Sequence, residues 1–373
     1  MAKCQAVSRR RRRPSELNKE SAEQAVAGGI SQNVKQLSIS QTRATPYTQA
    51  MPAPTDPKPR EKSSSAKSSL RLGSVCLLVL LAALYAFRPA TTTAITTWPA
   101  AVGMFLGIGI AMFARRPRRW LIFGWLAFGL IFVEEFRSLP RGLLPAQNRD
   151  FRVVTLNCAG GSALAAAEVK ALQPDLVLLQ ESPSRPDLER LAQELFGDST
   201  LVTSGPDAAI LARGKLTALP RPRRIGNFVA ARWEPARGQS IDVVSLRLAP
   251  PVLRFDLLNP AAWQEFSRSR DQRGEEMNQI QRELQSLGAK PVIIGGDFNT
   301  PPDAAIQKNL LANMQDAFNV AGVGLGATCV NPYPSIVRID QIWTTSRAEC
   351  VRAWVATTQN SDHRMLVADY RWR

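Results

Sequence analysis

The distribution of apolar and polar positions divides the chain into four segments. Residues 1–69 contain few large apolar side chains, residues 70–136 contain three long apolar stretches, and residues 150–373 alternate short apolar runs with helical and loop segments. A tail with so little apolar surface cannot offset the entropy of ordering. The pattern predicts a disordered tail, a membrane anchor, a linker at 137–149 and one folded domain.

The apolar stretches cover Gly73–Phe87, Trp98–Ala114 and Trp120–Val133. They are at or below the short end of the roughly 17–25 residues that a spanning helix needs, although flanking residues can extend the first. Tryptophans open the second and third stretches, as is common at a membrane interface. A buried bundle in a soluble domain is the weaker alternative, because no polar face accompanies the stretches. We expect about three transmembrane helices.

The charges between these stretches predict an orientation. Four arginines lie between the second and third stretches, whereas Pro89–Thr97, between the first and second, is uncharged. Positively charged loops stay in the cytoplasm, so the arginine loop and the basic tail belong there. Three crossings then make the chain a multi-pass cell-membrane protein with an extracytoplasmic domain. If the third stretch does not span, the domain lies inside.

Charge is concentrated in the N-terminal part of the chain. Residues 1–149 carry 22 Lys/Arg and 7 Asp/Glu, whereas residues 150–373 carry 25 and 24, so net charges of +15 and +1 make up the total of +16. The run Arg9 to Arg13 suits nucleic acid or an anionic membrane face, but a solvated cytoplasmic tail is the simpler interpretation. The basic balance therefore gives no reason to expect a nucleic-acid ligand for the folded domain.

The last segment has the pattern of an α/β domain with two layers of sheet covered by helices. Strands are predicted at Phe151–Leu156, Asp175–Gln180, Ala208–Ala212, Phe228–Trp233, Ile241–Leu248, Pro291–Ile294, Val337–Trp343 and Met365–Tyr370. Helices are predicted at Ser162–Leu172, Leu188–Phe196 and Ala261–Leu287, the last interrupted near Gly274.

Polar residues follow several of these strands directly. Asn157, Glu181 and Asp297 each come after an apolar run, and ligand-binding residues collect at strand ends in α/β sheets. Any one of them alone could be a helix cap or a surface residue. Together with Asp340 and the pair Asp362–His363, they form a set of acids and amides around the chain's only histidine. Such a set suits Mg²⁺, and it suits zinc poorly.

Five short motifs resemble the endonuclease/exonuclease/phosphatase superfamily and stand in the family's order. They are Thr155-Leu156-Asn157, Leu179-Gln180-Glu181, Gly296-Asp297-Phe298-Asn299, Arg338-Ile339-Asp340 and Ser361-Asp362-His363. The resemblance covers roughly residues 150–373. It implies a four-layer α/β/β/α sandwich of two mixed sheets, and it implies metal-dependent hydrolysis of phosphoric esters.

The resemblance also implies residue roles. Glu181 is expected to be the principal metal ligand, with Asn157 beside it and Asp362 adding charge to the metal or water network. Asp297 is expected to position the attacking water and Asn299 to orient the phosphate. His363 is expected to donate to a phosphate oxygen, with Asp340 holding its ring. The implied cofactor is Mg²⁺, with Mn²⁺ as the alternative.

One position departs from the family pattern. Relatives carry a second histidine after a strand, where this chain has Arg247. Arginine can bind phosphate through two N–H groups, so Arg247 is expected to bind substrate. The alternative is that Arg247 is a surface residue of a degraded site. Cys329 and Cys350 could form a disulfide in an extracytoplasmic domain, although spacing alone cannot establish one.

The sequence therefore predicts a membrane-anchored, Mg²⁺-dependent phosphoesterase that uses in-line attack by water. Its substrate is expected to be phosphorylated: a lipid head group, a small phosphodiester or a nucleic acid. No protein partner is implied. The alternatives are a non-catalytic module that binds a phosphorylated ligand and a nuclease acting on DNA or RNA.

Overall fold

The computed structural model describes ten stretches of the chain, and these carry every structural statement below. They are residues 63–113, 118–145, 147–198, 201–220, 227–251, 256, 259–302, 304–307, 310–329 and 335–373. The predicted disordered tail, including Arg9 to Arg13, falls almost wholly outside these stretches. So do Arg115 and Arg116 of the predicted cytoplasmic loop.

All three apolar stretches form helices. These are α1 (Ser63–Phe87), α3 (Ala100–Phe113) and α4 (Arg118–Phe132), with the short α2 (Thr93–Thr96) after a 3-10 turn at Ala90–Thr92. Within the described residues, one helix is long and apolar enough to cross a membrane, over Ser69–Phe87, and the other two apolar helices are shorter. That single helix is weak support for a membrane anchor.

Small residues allow the three helices to pack closely. Trp125 is fully buried and donates from Nε1 to the Ser74 hydroxyl at 3.1 Å. Gly107 leaves the space that the Trp125 ring fills, since a Cβ there would lie 2.0 Å from it. Large apolar side chains such as Phe105 and Leu130 point outward and are exposed.

A short helix, α5 (Glu135–Arg141), joins the helical segment to the domain and includes the first residues of the predicted linker. Buried Ser138 donates its hydroxyl to the Gly324 carbonyl at 2.6 Å. Just before α5, Glu134 pairs with Arg338, whose guanidinium also binds Asp316. Burial opposes the charge of Arg338, but these two carboxylates outweigh it and raise its pKa. The helices are therefore docked on the domain through a buried ionic cluster.

The first sheet has six strands in the order β11-β12-β1-β2-β4-β3. They are β1 (Phe151–Asn157), β2 (Leu176–Gln180), β3 (Val202–Ser204), β4 (Ala208–Ala212), β11 (Ala348–Ala356) and β12 (Met365–Trp372). Central strands β1 and β2 are parallel, and their apolar runs are buried on both faces, as expected for parallel pairs. Helices α6 (Ala163–Ala167) and α7 (Arg185–Phe196) cover one face.

The second sheet also has six strands, in the order β5-β6-β7-β8-β10-β9. They are β5 (Lys215–Ala218), β6 (Phe228–Glu234), β7 (Ile241–Arg247), β8 (Pro291–Asp297), β9 (Gln315–Asp316) and β10 (Asp340–Thr344). Strands β7 and β8 are parallel. The long helix α8 (Pro260–Ser286) covers the outer face, and the short α9 (Ala317–Ala321) follows β9.

The two sheets pack face to face around a shared apolar core that includes Leu178, Trp233 and Ile342. Helices flank both sheets, so the predicted four-layer α/β/β/α sandwich is confirmed. Each sheet carries one central parallel pair, β1–β2 and β7–β8.

Some local predictions were wrong. Helix α8 continues through Gly274 without interruption, because apolar residues on both sides of it, such as Phe266 and Met277, are buried. Strand β10 begins at Asp340, since Val337 makes only an isolated bridge to Cys329. The nine-residue β11 was not predicted, because its sequence mixes charged and apolar residues without strict alternation. The Cys329–Cys350 disulfide, which the sequence left open and did not predict, is not formed.

Gly296 is the glycine on which the site depends most directly. Its φ is +149°, and a Cβ there would lie 1.9 Å from the Leu246 carbonyl oxygen on the neighbouring strand. Any side chain at 296 would therefore force β7 and β8 apart directly beside Asp297.

We predict that Gly296→Ala lowers the free energy of unfolding by at least roughly 2 kcal/mol. Chemical denaturation of the full chain measures this change. The matched control is Gly274→Ala in α8, where a Cβ would meet Ile306 at an ordinary 3.5 Å. The free energy of unfolding of that variant should rise by about 0.5–1 kcal/mol, because alanine has a higher helix propensity than glycine. Equal effects of the two substitutions would contradict the close strand contact at Gly296.

Candidate active site

Three polar side chains stand in one row across the second sheet. Arg247 at the end of β7 pairs in register with Asp297 at the end of β8, and Asp297 pairs with Asp340 at the start of β10. Directly opposed residues of neighbouring strands point to the same face of a sheet. The topology therefore brings together residues that lie up to 93 positions apart in the chain.

The first sheet contributes Asn157 at the end of β1 and Glu181 just after β2. These strands are parallel, with Asn157 in register with Gln180. Glu181 has φ +43°, a left-handed conformation that is uncommon for a residue other than glycine. This conformation ends the strand and turns the carboxylate back, so that Asn157 Nδ2 donates to Glu181 Oε1 at 3.2 Å.

A hydrogen bond between the sheets joins the two groups of residues. Asn157 Nδ2 also donates to Asp297 Oδ2 at 3.1 Å. Asn299, at φ +50°, donates to the same carboxylate through its backbone N–H and its Nδ2, each at 3.0 Å. The Asp297 carboxylate is almost fully buried and is held by these donors in one orientation.

Burial raises the pKa of Asp297 to about 6, against the opposing effect of the positive charge on His363. A carboxyl group with this pKa is a stronger base than an exposed aspartate, and it is still ionised at neutral pH. Asp297 therefore has the charge and fixed orientation that a group positioning water requires.

His363 forms an ion pair with Asp340. Its Nδ1 lies 2.9 Å from Asp340 Oδ2, and both side chains are buried. Burial opposes the charged ring, but the Asp340 carboxylate and its hydrogen bond outweigh burial and raise the pKa of His363 to about 10. The ring is therefore an imidazolium at neutral pH. Thr328 Oγ1 fixes the start of β10 by accepting from the backbone N–H groups of Ile339 and Asp340.

Arg247 lies between two carboxylates. Its Nη2 is 2.7 Å from Glu181 Oε1, and its Nη1 is 3.0 Å from Asp207 Oδ2. The three side chains are 23 to 30% exposed, so they line the mouth of the site rather than its base. Arg247 is thus not an isolated surface residue.

The structure brings seven of the eight predicted site residues into one connected cluster. They are Asn157, Glu181, Arg247, Asp297, Asn299, Asp340 and His363. Asp362 is exposed, and its negative charge acts on His363 only from a distance.

The oxygen-rich set fits a hard cation such as Mg²⁺, which prefers carboxylate and carbonyl oxygens and keeps several waters. Glu181 offers a partly exposed carboxylate at the mouth. The amide oxygen of Asn157 accepts from the backbone N–H of Ala159, whereas the amide nitrogen faces Glu181. The side-chain amide would have to flip, exchanging its nitrogen and oxygen, before that oxygen could bind a cation beside Glu181.

A second set of possible ligand atoms lies deeper. Atoms of Asp297, Asp340 and His363 lie within 4.8 Å of one another. A protonated ring has no lone pair for a metal, so a cation there would have to displace the ring proton. Glu181, a partly exposed carboxylate at the mouth, is the more accessible place for a cation.

Several supporting residues were not identified from the sequence. Gln180 Nε2 donates to Ser245 Oγ of the other sheet at 3.0 Å, below the site. Ser361 donates to the Asn157 carbonyl at 2.7 Å, and Asp207 holds Arg247. These are ordinary polar residues in loops or strands, and only their spatial neighbours show their roles.

Comparison with known proteins identifies the family. A sequence profile described as the Endonuclease/Exonuclease/phosphatase family matches residues 154–363, more than half of the chain. The chain belongs to the endonuclease/exonuclease/phosphatase family. The matched region runs from β1 to His363 and so contains the site residues from Asn157 onward. Members of the endonuclease/exonuclease/phosphatase family are generally hydrolases of phosphoester bonds.

Solved structures of the endonuclease/exonuclease/phosphatase family resemble this chain at low sequence identity. A family protein from Bacteroides vulgatus is 17% identical, with a TM-score of 0.45 over 61% of this chain and 100% of its own. A mannosyl-6-phosphatase from Bacteroides thetaiotaomicron is 13% identical, with a TM-score of 0.42 over 60% and 100%. The human Nocturnin catalytic domain is 17% identical, with a TM-score of 0.40 over 61% and 97%. No curated protein matches the chain by sequence.

The single histidine makes the charge state of the site measurable. We predict that His363 in the full chain titrates near pH 10 and that Asp340→Asn moves its pKa toward the ordinary 6.5. NMR of histidine-labelled protein without a histidine tag gives one ring signal to follow. Glu349→Gln removes an exposed pair with Arg371 and should leave the titration unchanged.

The sign of the linked stability change follows from the raised pKa. The stabilisation from this ion pair is complete below about pH 6.5 and is lost as the pH rises through about 10. A wild-type His363 that titrates near 6.5 would contradict the imidazolium.

Proposed function

We propose that the chain is a Mg²⁺-dependent phosphoesterase, anchored in a membrane, that hydrolyses a phosphodiester or phosphomonoester by in-line attack of water. Mn²⁺ is the alternative cofactor. The observation that supports this most is that the Asn157 amide donates to both Glu181, the carboxylate proposed to bind the metal, and Asp297, the carboxylate proposed to position water.

Each residue then has a defined task. Asp297, held by Asn157 and Asn299, accepts a hydrogen bond from the attacking water and orients it. His363, protonated and held by Asp340, donates to a phosphate oxygen as negative charge develops. Bound at Glu181, a Mg²⁺ ion would polarise a phosphoryl oxygen. Asp362, at the exposed edge, adds negative charge near the site.

Arg247 is assigned to substrate binding. Its guanidinium stays charged at every relevant pH and is only partly exposed at the mouth, where a phosphate would enter. Because such a clamp acts on bound substrate as well as on the transition state, it is expected to affect the Michaelis constant.

Two features bear on the substrate class: the charge of the domain and its proposed attachment to a bilayer. The domain's net charge of +1 lacks the basic bias that a nonspecific nuclease needs to bind the phosphate backbone. Attachment to a bilayer favours a lipid head group or a small phosphodiester over a nucleic acid.

The membrane anchor is proposed from α1, α3 and α4. Their outward faces carry exposed large apolar side chains such as Val79, Phe105 and Ile131. In water such a surface would be costly, whereas in lipid it would be solvated. Helices α3 and α4 are shorter than the roughly 20 residues of an average span. The number of times that they cross the membrane is therefore the quantity that an experiment has to determine.

A non-catalytic module that binds a phosphorylated ligand is the second candidate. The ion pair between Arg247 and Glu181 favours it, because a protein cation already neutralises the expected metal ligand. The two candidates differ in turnover: the enzyme hydrolyses substrate only with the metal, whereas the module binds a phosphorylated ligand and releases no product.

We predict that Asp297→Asn lowers turnover by about 10²–10⁴-fold and His363→Ala by about 10²–10³-fold. Glu181→Gln should weaken the dependence on Mg²⁺, and Arg247→Ala should raise the Michaelis constant. The full chain is assayed with Mg²⁺ against DNA, sphingomyelin, glycerophospholipids and a generic phosphodiester. Glu194→Gln breaks an exposed pair with Lys170 and should leave the rates unchanged.

Two results would count against this mechanism. Absent turnover of the wild type across the whole panel, together with binding of a phosphorylated ligand, would support the binding module, and turnover that does not need the metal would remove the metal from the mechanism. Wild-type rates in Asp297→Asn would remove the proposed role of that carboxylate.

We also predict that a reporter enzyme fused after Arg149 is active only outside the cytoplasm. The expected reason is three crossings by α1, α3 and α4, with the basic N-terminus retained inside. A second fusion after Arg88, beyond α1 alone, should report the same side. Cytoplasmic activity of the first fusion combined with external activity of the second would show that α3 and α4 together cross the membrane only once.

A further inference from the structure

Arg247 and a metal ion would compete for the same carboxylate. In this structure, Glu181 Oε1 accepts from Arg247 Nη2 at 2.7 Å and from Asn157 Nδ2 at 3.2 Å. Glu181 Oε2 accepts from the backbone N–H of Gly160. Both oxygens of the expected metal ligand are therefore already engaged by donors, and only Arg247 among these carries a positive charge.

Of these donors, Arg247 is also the one best placed to leave. Asn157 is buried and also donates to Asp297. Gly160 donates through its backbone N–H and not through a side chain. Arg247 is 26% exposed at the end of β7. Arg247 and Glu181 are similarly exposed, so a cation that approaches Glu181 from the mouth meets the guanidinium beside it.

Asp207 provides the position to which the arginine can withdraw. It accepts from Arg247 Nη1 at 3.0 Å, whereas Glu181 is bound by the other terminal nitrogen, Nη2. Asp207 lies just before β4, in the other sheet from β7. When Arg247 releases Glu181, Asp207 still balances its charge and keeps it at the mouth.

We propose that Arg247 is a resident cation that occupies Glu181 until the metal binds, and that Asp207 is the positioning residue that retains Arg247 after the exchange. This inference rests on the proposed metal-dependent function. The exchange leaves Glu181 to the metal and the Nη2 group of Arg247 to the substrate phosphate. Asp207 thereby becomes a determinant of metal affinity, although it is not a metal ligand.

The proposal predicts opposite effects of two substitutions on metal binding. Arg247→Met removes the competing charge and keeps the apolar stem, so the affinity for Mn²⁺ should rise by about tenfold. Among the described residues, Asp207→Asn leaves Glu181 as the carboxylate that forms an ion pair with Arg247. Affinity should then fall, by roughly threefold.

Combining the substitutions separates this exchange from simple charge effects. If Asp207 acts through Arg247, Asp207→Asn should have little further effect in the Arg247→Met background. If Asp207 acts only by its own negative charge, its effect should be the same in both backgrounds, because independent effects add. Glu234→Gln, which breaks an exposed pair with Lys215, is the control for a lost carboxylate elsewhere.

The measurement uses the full chain and Mn²⁺ without substrate, and electron paramagnetic resonance gives the concentration of free Mn²⁺. Mg²⁺ is then added as a competitor. Arg247→Gln replaces Arg247→Met if the latter does not fold, with the same expected rise in affinity. Tighter binding on loss of Arg247, weaker binding on loss of Asp207 and non-additivity in the double variant support the exchange.

Failure of the inference can be told apart from failure of the proposed function. If wild type binds Mn²⁺ but loss of Arg247 does not tighten binding, or the two effects simply add, the exchange is wrong while the metal site stands. If neither wild type nor the Arg247 variants bind Mn²⁺, the metal site and the exchange are both wrong.

Discussion

The hydrogen bonds of the Asn157 side chain join the two halves of the site. Its amide nitrogen donates to Glu181 in one sheet and to Asp297 in the other, at 3.2 and 3.1 Å. Each of these carboxylates follows or ends a strand of a central parallel pair, and the two pairs end at the same edge of the sandwich. The fold therefore places two carboxylates at a shared cleft, and one amide fixes the distance between them.

The carboxylates of the cleft outnumber its cations. Asp340 is paired with His363, whereas Glu181 and Asp207 share the single guanidinium of Arg247. Burial raises the pKa of Asp297 to about 6, against the lowering effect of the charge on His363 and of the hydrogen bonds from Asn157 and Asn299. In the proposed mechanism, Asp297 is the base, and His363 and Arg247 bind the phosphate.

Most of the fold could be predicted from the sequence, because buried parallel strands such as Leu176–Gln180 are nearly continuous apolar runs. Short edge strands such as β3 and β9 were missed, since two or three residues give no periodicity. The strand-end acids and amides were identified by position and by resemblance to the family. The pairing of Arg247 with Asp207 could not be predicted, because it depends on how the end of β7 and the loop before β4 meet across the sheets.

The most direct test of this account is a crystal structure of the full chain soaked with Mn²⁺, in which anomalous scattering locates the ion. We expect the ion at Glu181, with a carboxylate oxygen at about 2.0–2.2 Å, and we expect Arg247 to be bound to Asp207 without its contact to Glu181. His363 should remain paired with Asp340. An ion held by Asp297, Asp340 and His363, with Arg247 still on Glu181, would contradict the account.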